Sequence, residues 1–178
     1  PPPPPPPHPP PFPPRRSSDL GASAPPESVT ALRALAADLA TRAGSSAHEG
    51  RRRLGVGQPV EHDTKSTPTD PVTEFDRAAE KLIVDELRVR RPQDSIVGEE
   101  GAGHAGTSGL EWHIDPIDGT VNFVYGLPAW CTGVAVVDRN GPVAGAVYVP
   151  VTVGLFRAAR GGGAPRDGEP IHWATGGG

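Results

Sequence analysis

The chain has 178 residues with a formal net charge of −4, 24 prolines, 23 glycines, one cysteine and no methionine. The acidic balance argues against a nucleic-acid backbone as the main partner, and no stretch is long and apolar enough for a membrane span. The lone Cys131 excludes an internal disulfide and is compatible with the cytoplasmic setting expected for this chain.

Fourteen of the prolines fall within residues 1–26, and residues 1–14, interrupted only by His8 and Phe12, can have neither a core nor a helix. Residues 1–27 are therefore expected to form a disordered or polyproline II tail, and residues 28–178 one domain with a real core. The chain opens on proline and lacks an initiator, so it is read as an incomplete record.

Val29, Leu32, Leu35, Ala36 and Leu39 recur at helical spacing after a Glu27-Ser28 cap. Gly44 weakens this helix, which resumes through His48 to Leu54 before the Gly55-Val56-Gly57 break. Arg51, Arg52 and Arg53 read as a solvated basic face. Val60 to Lys65 suits a short strand or extended arm. Asp70 as cap and Pro71 at the first helical position predict a second long helix, with Val72, Phe75, Ala79, Leu82, Ile83 and Leu87 on one face. Pro92 stops it.

Ser95–Gly98 reads as a strand, 101–109 as a small, polar loop, and Glu111–Asp115 as the next strand. A short helix from Gly119 to about Tyr125 ends at Gly126-Leu127-Pro128. Cys131–Val137 and Val143–Val149 form a hairpin around Asn140-Gly141, and Val153–Ala159 is a third strand. Residues 161–170 are a glycine-rich turn without the G-K-[ST] of a nucleotide loop. The fold class is therefore α+β, two long helices packed on a mostly antiparallel sheet. Cys131, at the head of an apolar run, is expected to be a buried structural thiol, and Trp130 core or rim.

The stretch that carries chemistry is Trp112-His113-Ile114-Asp115-Pro116-Ile117-Asp118-Gly119-Thr120. Two ionised carboxylates held about 4 Å apart repel by roughly 4 kcal/mol at an effective dielectric near 20. A shared proton, a basic side chain or a metal ion must neutralise them. Oxygen donors with no His or Cys among them suit a hard cation, Mg²⁺ before Zn²⁺. Gly119 and Thr120 offer backbone N–H groups at a helix start, a seat for phosphate. The plain alternative is a strand-to-helix turn capped by Asp118. Two further segments bear on the choice: Val97-Gly98-Glu99-Glu100-Gly101 and Asp70-Pro71-Val72-Thr73-Glu74-Phe75-Asp76. From these residues alone Glu99 and Glu100 are equivalent, and Asp76 reads as a solvated helix residue.

Together the three segments resemble the inositol monophosphatase family, within the Mg²⁺-dependent, lithium-sensitive sugar phosphatases. D-P-[IL]-D-G-T is present in full, G-E-E and V-T-x-x-D precede it in the family's order, and the likeness runs from about Ser28 to Ile171. The resemblance implies the layered αβαβα fold. It also implies that Glu99, Asp115 and the Ile117 carbonyl hold one Mg²⁺, with Mn²⁺ as substitute, while Asp115 and Asp118 bridge to a second. Thr120 and Glu99 would position the attacking water, Asp76 would orient the Thr120 hydroxyl, and the Gly119 and Thr120 N–H groups would take phosphate oxygens. Lys65 and Glu100 would stand at one remove. The implied function is a phosphomonoesterase for a small phosphorylated polyol or sugar, inositol monophosphate first, using a metal-activated water; a homodimer is compatible with the full-length protein.

The family also carries a later W-D-x-A-A motif, whose Asp completes the second metal site, and nothing after Trp173 matches it. The chain is accordingly read as the family's N-terminal portion, C-terminally truncated and nearly inactive alone. Histidinol phosphate, fructose 1,6-bisphosphate and a nucleotide 3′-phosphate stay open as substrates. The other class is non-catalytic: a fragment that binds metal and phosphate without turnover, or an interaction protein using its proline arm.

Overall fold

The computed structural model describes residues 26–55, 60–64, 71–99, 101 and 103–171. Residues 1–25 of the proline-rich segment, Gly57, Lys65, Asp70, Glu100 and Trp173 lie outside them.

Helix α1 (Pro26–Leu54) starts two residues before the expected Ser28 and runs unbroken through Gly44. The glycine is there for packing rather than as a stop. A Cβ at Gly44 would sit 2.8 Å from the Tyr148 ring and 2.9 Å from Thr132 Oγ1, so its absence lets the helix lie directly on the sheet. Leu32, Leu35, Ala36, Leu39, Ala40 and Ala43 form its buried stripe.

Strands β1 (His62–Thr64) and β2 (Pro71–Thr73) pair antiparallel. Pro71 is thus in a strand rather than at the first turn of a helix. Helix α2 (Glu74–Arg90) begins after Thr73, which caps it. Ala79, Ile83, Val84 and Leu87 bury its inner face against α1 and the sheet.

The main sheet comprises β3 (Ser95–Gly98), β4 (Gly103–His104), β5 (Glu111–Asp118), β6 (Cys131–Asp138), β7 (Gly141–Val149), β8 (Gly154–Ala159), β9 (Pro165–Arg166) and β10 (Glu169–Pro170). Their order across the sheet is β10-β9-β8-β7-β6-β5-β3-β4. All pairs are antiparallel except β3 with β5, which run parallel. A short helix, α3 (Thr120–Tyr125), connects β5 to β6. The expected loop after Gly101 includes the edge strand β4, and the glycine-rich turn contains β9 and β10. The architecture is the α+β arrangement expected, two long helices on a mostly antiparallel sheet.

Both long helices cover the same face. Trp112, Ile114, Val134, Val136, Ala144, Ala146 and Tyr148 point into that core, so alternate residues of each strand point away from it. No helix among the described residues is long and apolar enough to cross a membrane.

Trp112 is fully buried, and its indole Nε1 donates to Asp94 Oδ2 at 2.8 Å. Arg91 grips the same carboxylate through Nε at 2.7 Å and a second nitrogen at 3.3 Å. Burial pushes the Asp94 carboxyl up, but donors from Arg91, Ser108 and Trp112 outweigh it and leave the group below the usual aspartate range. Asp94→Ala should cost about 2–3 kcal/mol, since it leaves a buried indole N–H unpaired. A lowered carboxyl pKa stabilises the fold above the unfolded value near 3.8 and ceases to do so as pH falls through the lower folded value. The gap between parent and Asp94→Ala in urea midpoint should therefore hold steady above about pH 5 and shrink below about pH 4.

Candidate active site

The site is built where α2 and α3 begin and β3 and β5 end. At the start of α2, Thr73 Oγ1 accepts from the N–H groups of Phe75 and Asp76 at 3.1 and 3.3 Å. Asp76 Oδ2 in return accepts the Thr73 N–H at 2.9 Å and its hydroxyl at 2.5 Å. This reciprocal capping box occupies one oxygen of a side chain only 1% exposed. The other, Oδ1, lies 3.2 Å from Thr120 Oγ1 on α3. Burial raises the Asp76 pKa, and the hydrogen bonds from Thr73 and Thr120 work against that rise.

Strand β5 continues past its expected end at Asp115 to Asp118, because a bulge carries it there. Asp115 pairs with Gly133 and Asp118 with Cys131, so three steps on β5 match two on β6. In a regular strand residues three apart point to opposite faces. Here Pro116 and Ile117 are both buried, while Asp115 and Asp118 pair with Gly133 and Cys131, two residues apart on β6, and so share a face of the sheet. Pro116 donates nothing to the ladder and suits the bulge. Thr132, fully buried, clamps it by donating Oγ1 to the Pro116 carbonyl at 2.8 Å.

The turn into α3 requires Gly119, whose φ of 92° and ψ of 39° are left-handed. A Cβ there would also lie 2.9 Å from the Ala129 carbonyl oxygen. Gly119, not Asp118, is the N-cap residue, and α3 has no side-chain cap hydrogen bond. The reading of Asp118 as a mere cap is thereby removed. Thr120 Oγ1 lies 2.9 Å from the Ile117 carbonyl as well as near Asp76, one hydroxyl proton with two acceptors in reach. Underneath, Ile117, Phe123 and Trp130 form a separate small core with Phe75. The Phe123 and Trp130 rings meet edge-on, 4.9 Å between centroids. Trp130 is thus core. Arg51 does not sit on a solvated face with Arg52 and Arg53: its guanidinium donates to the Phe123 and Gly55 carbonyls, both at 3.3 Å, and ties α1 to α3.

Glu99 follows the last parallel pair, Gly98 with Ile114, and so leaves the end of β3 level with Asp115 within β5. Both line one end of an open, largely apolar groove of about 730 Å³ on the sheet face away from the helices. Asp118 is exposed, and the Cys131 thiol donates to its Oδ2 at 3.6 Å. Cys131 is half-buried, and burial, then the Asp118 and Asp115 charges, push its pKa up to about 11. At neutral pH it is a protonated thiol in a negative field, but it is not the buried thiol expected, because its strand position faces the exposed Asp118.

The structure therefore brings Asp76, Thr120 and the Ile117 carbonyl together, and sets Glu99 beside Asp115. Among the described residues no three Asp, Glu, His or Cys side chains gather closely enough to hold a metal ion. The donor set fits a hard cation in kind, since Glu99, Asp115, Asp118 and the Ile117 carbonyl offer only oxygen. Lys65 and Glu100 lie outside the described residues. Sequence reasoning missed Thr73 as the cap and Thr132 as the clamp. Thr73-Glu74-Phe75-Asp76 has the capping-box spacing, a signal that was available; Thr132 has none.

Residues 28–177 match the inositol monophosphatase family. An inositol-1-monophosphatase of Mycobacterium leprae is 44% identical over 143 residues, 75% of this chain and 49% of that protein. A histidinol-phosphatase of Chlorobaculum parvum is 37% identical over 139 residues, 77% and 51% of the two chains. The crystal structure of the extragenic suppressor protein suhB from Bartonella henselae superposes with a TM-score of 0.68 at 31% identity, covering 78% of this chain and 54% of that one. The chain spans about half the length of the curated relatives it matches.

Proposed function

Because this chain belongs to the inositol monophosphatase family, we propose that it supplies the acidic part of a Mg²⁺-dependent phosphomonoesterase site for a small phosphorylated polyol. The observation that carries the reading is the juxtaposition at the β5–α3 junction. Two aspartates share one face across a bulge, and immediately after them a threonine hydroxyl meets a buried carboxylate.

Glu99, Asp115, Asp118 and the Ile117 carbonyl would hold Mg²⁺, with Mn²⁺ as a substitute. Such ions, when bound, neutralise phosphate charge and acidify a water. The chain's own residues do the rest. Asp76, fixed by Thr73, draws the Thr120 proton toward itself, which leaves the Thr120 oxygen free to accept a hydrogen bond from the attacking water. Glu99 takes that water's proton. The Gly119 and Thr120 N–H groups meet phosphate oxygens, a role resting on the family likeness. We take the setting to be cytoplasmic, and a homodimer is compatible with the complete protein.

Inositol monophosphate is the first substrate of this reading. Histidinol phosphate is the second, favoured by the histidinol-phosphatase among the relatives. Phosphate release should be measured on a full-length protein carrying this chain, with inositol 1-phosphate, histidinol phosphate, fructose 1,6-bisphosphate and a 3′-nucleotide. Turnover should be highest on inositol 1-phosphate, vanish with a chelator and return with Mg²⁺. Preference for histidinol phosphate would select the second reading, and no release from any of the four would overturn both.

A further inference from the structure

Helix α2 carries a second buried acid one turn beyond Asp76. Glu80 is 3% exposed, and residues four apart share a helix face. Its carboxyl group lies flat against Gly98, the last residue of β3. A Cβ built on Gly98 would fall 2.6 Å from the Glu80 Cδ and Oε2 and 2.9 Å from Oε1. The space a side chain at Gly98 would need is thus filled by the end of Glu80, and a side chain this buried cannot swing into solvent to make room.

Gly98 pairs with Ile114, and the next residues along the two parallel strands are Glu99 and Asp115. On the helix side of the sheet, the Glu80 carboxyl therefore sits beside the backbone one residue before Glu99. The two acids divide the site between them. Asp76 reaches Thr120, after the end of β5, and Glu80 reaches Gly98, at the end of β3.

We propose that Glu80 is a positioning residue: its carboxyl group, seated on Gly98, sets where Glu99 stands beside Asp115 and so tunes cation binding there. The proposal rests on the reading of Glu99 and Asp115 as cation ligands. Glu80 itself touches neither cation nor substrate. Its role is reach, not charge, and this separates it from a general acidic contribution to the field. An apolar filler would occupy the volume without a polar end to hold the strand terminus, and desolvating a carboxyl group is otherwise unfavourable.

Two variants of the 178-residue chain separate reach from charge. Glu80→Asp keeps the charge and withdraws the carboxyl group by one methylene, whereas Glu80→Gln keeps the reach and removes the charge. Mn²⁺ affinity by calorimetry should fall about tenfold or more in Glu80→Asp, the scale seen when groups that orient metal ligands are lost. In Glu80→Gln it should stay within about threefold. Amide hydrogen exchange over residues 97–99 should quicken in Glu80→Asp and not in Glu80→Gln, with exchange in β6 and β7 unchanged in both. Unchanged exchange and affinity in Glu80→Asp would overturn the proposal, as would a loss in Glu80→Gln equal to that in Glu80→Asp. The exchange measurement needs no metal. If the parent chain binds no Mn²⁺, the cation reading fails while exchange still decides whether Glu80 fixes the end of β3.

Discussion

Replacing Thr120 by alanine in a full-length protein carrying this chain should lower turnover about 100-fold or more, the usual scale for losing one proton-handling group. The hydroxyl has one proton and two acceptors, the Ile117 carbonyl at 2.9 Å and Asp76 Oδ1 at 3.2 Å. Its proposed work is to present its oxygen to a water while its proton points inward. Alanine removes that oxygen and leaves every carboxylate in place, so cation affinity should barely change. Asp76→Asn should reduce turnover similarly, because an amide NH₂ aimed at Thr120 would donate where the carboxylate accepts. It also weakens the capping box, where Asp76 Oδ2 takes both Thr73 donors, so about 1 kcal/mol of stability should go with it. Turnover must therefore be compared well below the melting temperature. The double variant should lose little beyond either single one, since groups acting as a unit are not additive. Multiplying losses would break the Asp76–Thr120 unit, and unchanged turnover in Thr120→Ala would remove the threonine from the mechanism.

What the sequence discloses about this fold is mostly local. The hairpin at Asn140-Gly141 is legible because turn chemistry specifies it, and Gly141 indeed takes a φ of 106°. The apolar stripes of α1 and α2 are legible because helical period is a short-range signal. Gly44 misleads because its effect depends on a partner: opposite Tyr148 and Thr132 it permits close packing, which no window of α1 contains. Pro71 misleads for a related reason. Its fitness for a helix start is real, but the pairing of β1 with β2 claims it and passes the cap to Thr73. The parallel pairing of β3 with β5 joins strands separated by the short edge strand β4 and its flanking turns, and neither strand announces it.

At the site, residue types were readable and their mutual placement was not. Asp115 and Asp118 stand out as a pair, yet a strand alone would send them to opposite faces. The bulge that unites them depends on β6 and on Thr132 as much as on Pro116. Asp76 reads in sequence as a solvated helix residue and is instead buried, as are Asp94 and Glu80, to which no sequence signal points. Asp94 and Glu80 are buried because a distant element meets each, Trp112 in one case and Gly98 in the other.

The claim on which the account turns is that the bulge at Asp115–Asp118 is a divalent-cation site and not simply a bent strand. Asp115→Asn tests it, because the amide is nearly isosteric and the bulge is held by main-chain pairing and by the Thr132 clamp. Without a cation, two like charges on one face repel, so removing one should leave stability equal or slightly higher. Loss of binding then cannot be ascribed to unfolding. Calorimetric titration of the parent chain and Asp115→Asn with Mn²⁺ is the most direct measurement. The account predicts binding in the parent and an affinity at least about tenfold weaker in the variant, since a directly ligating carboxylate should matter no less than groups that merely orient ligands. Equal affinities, or no binding by the parent, would contradict it.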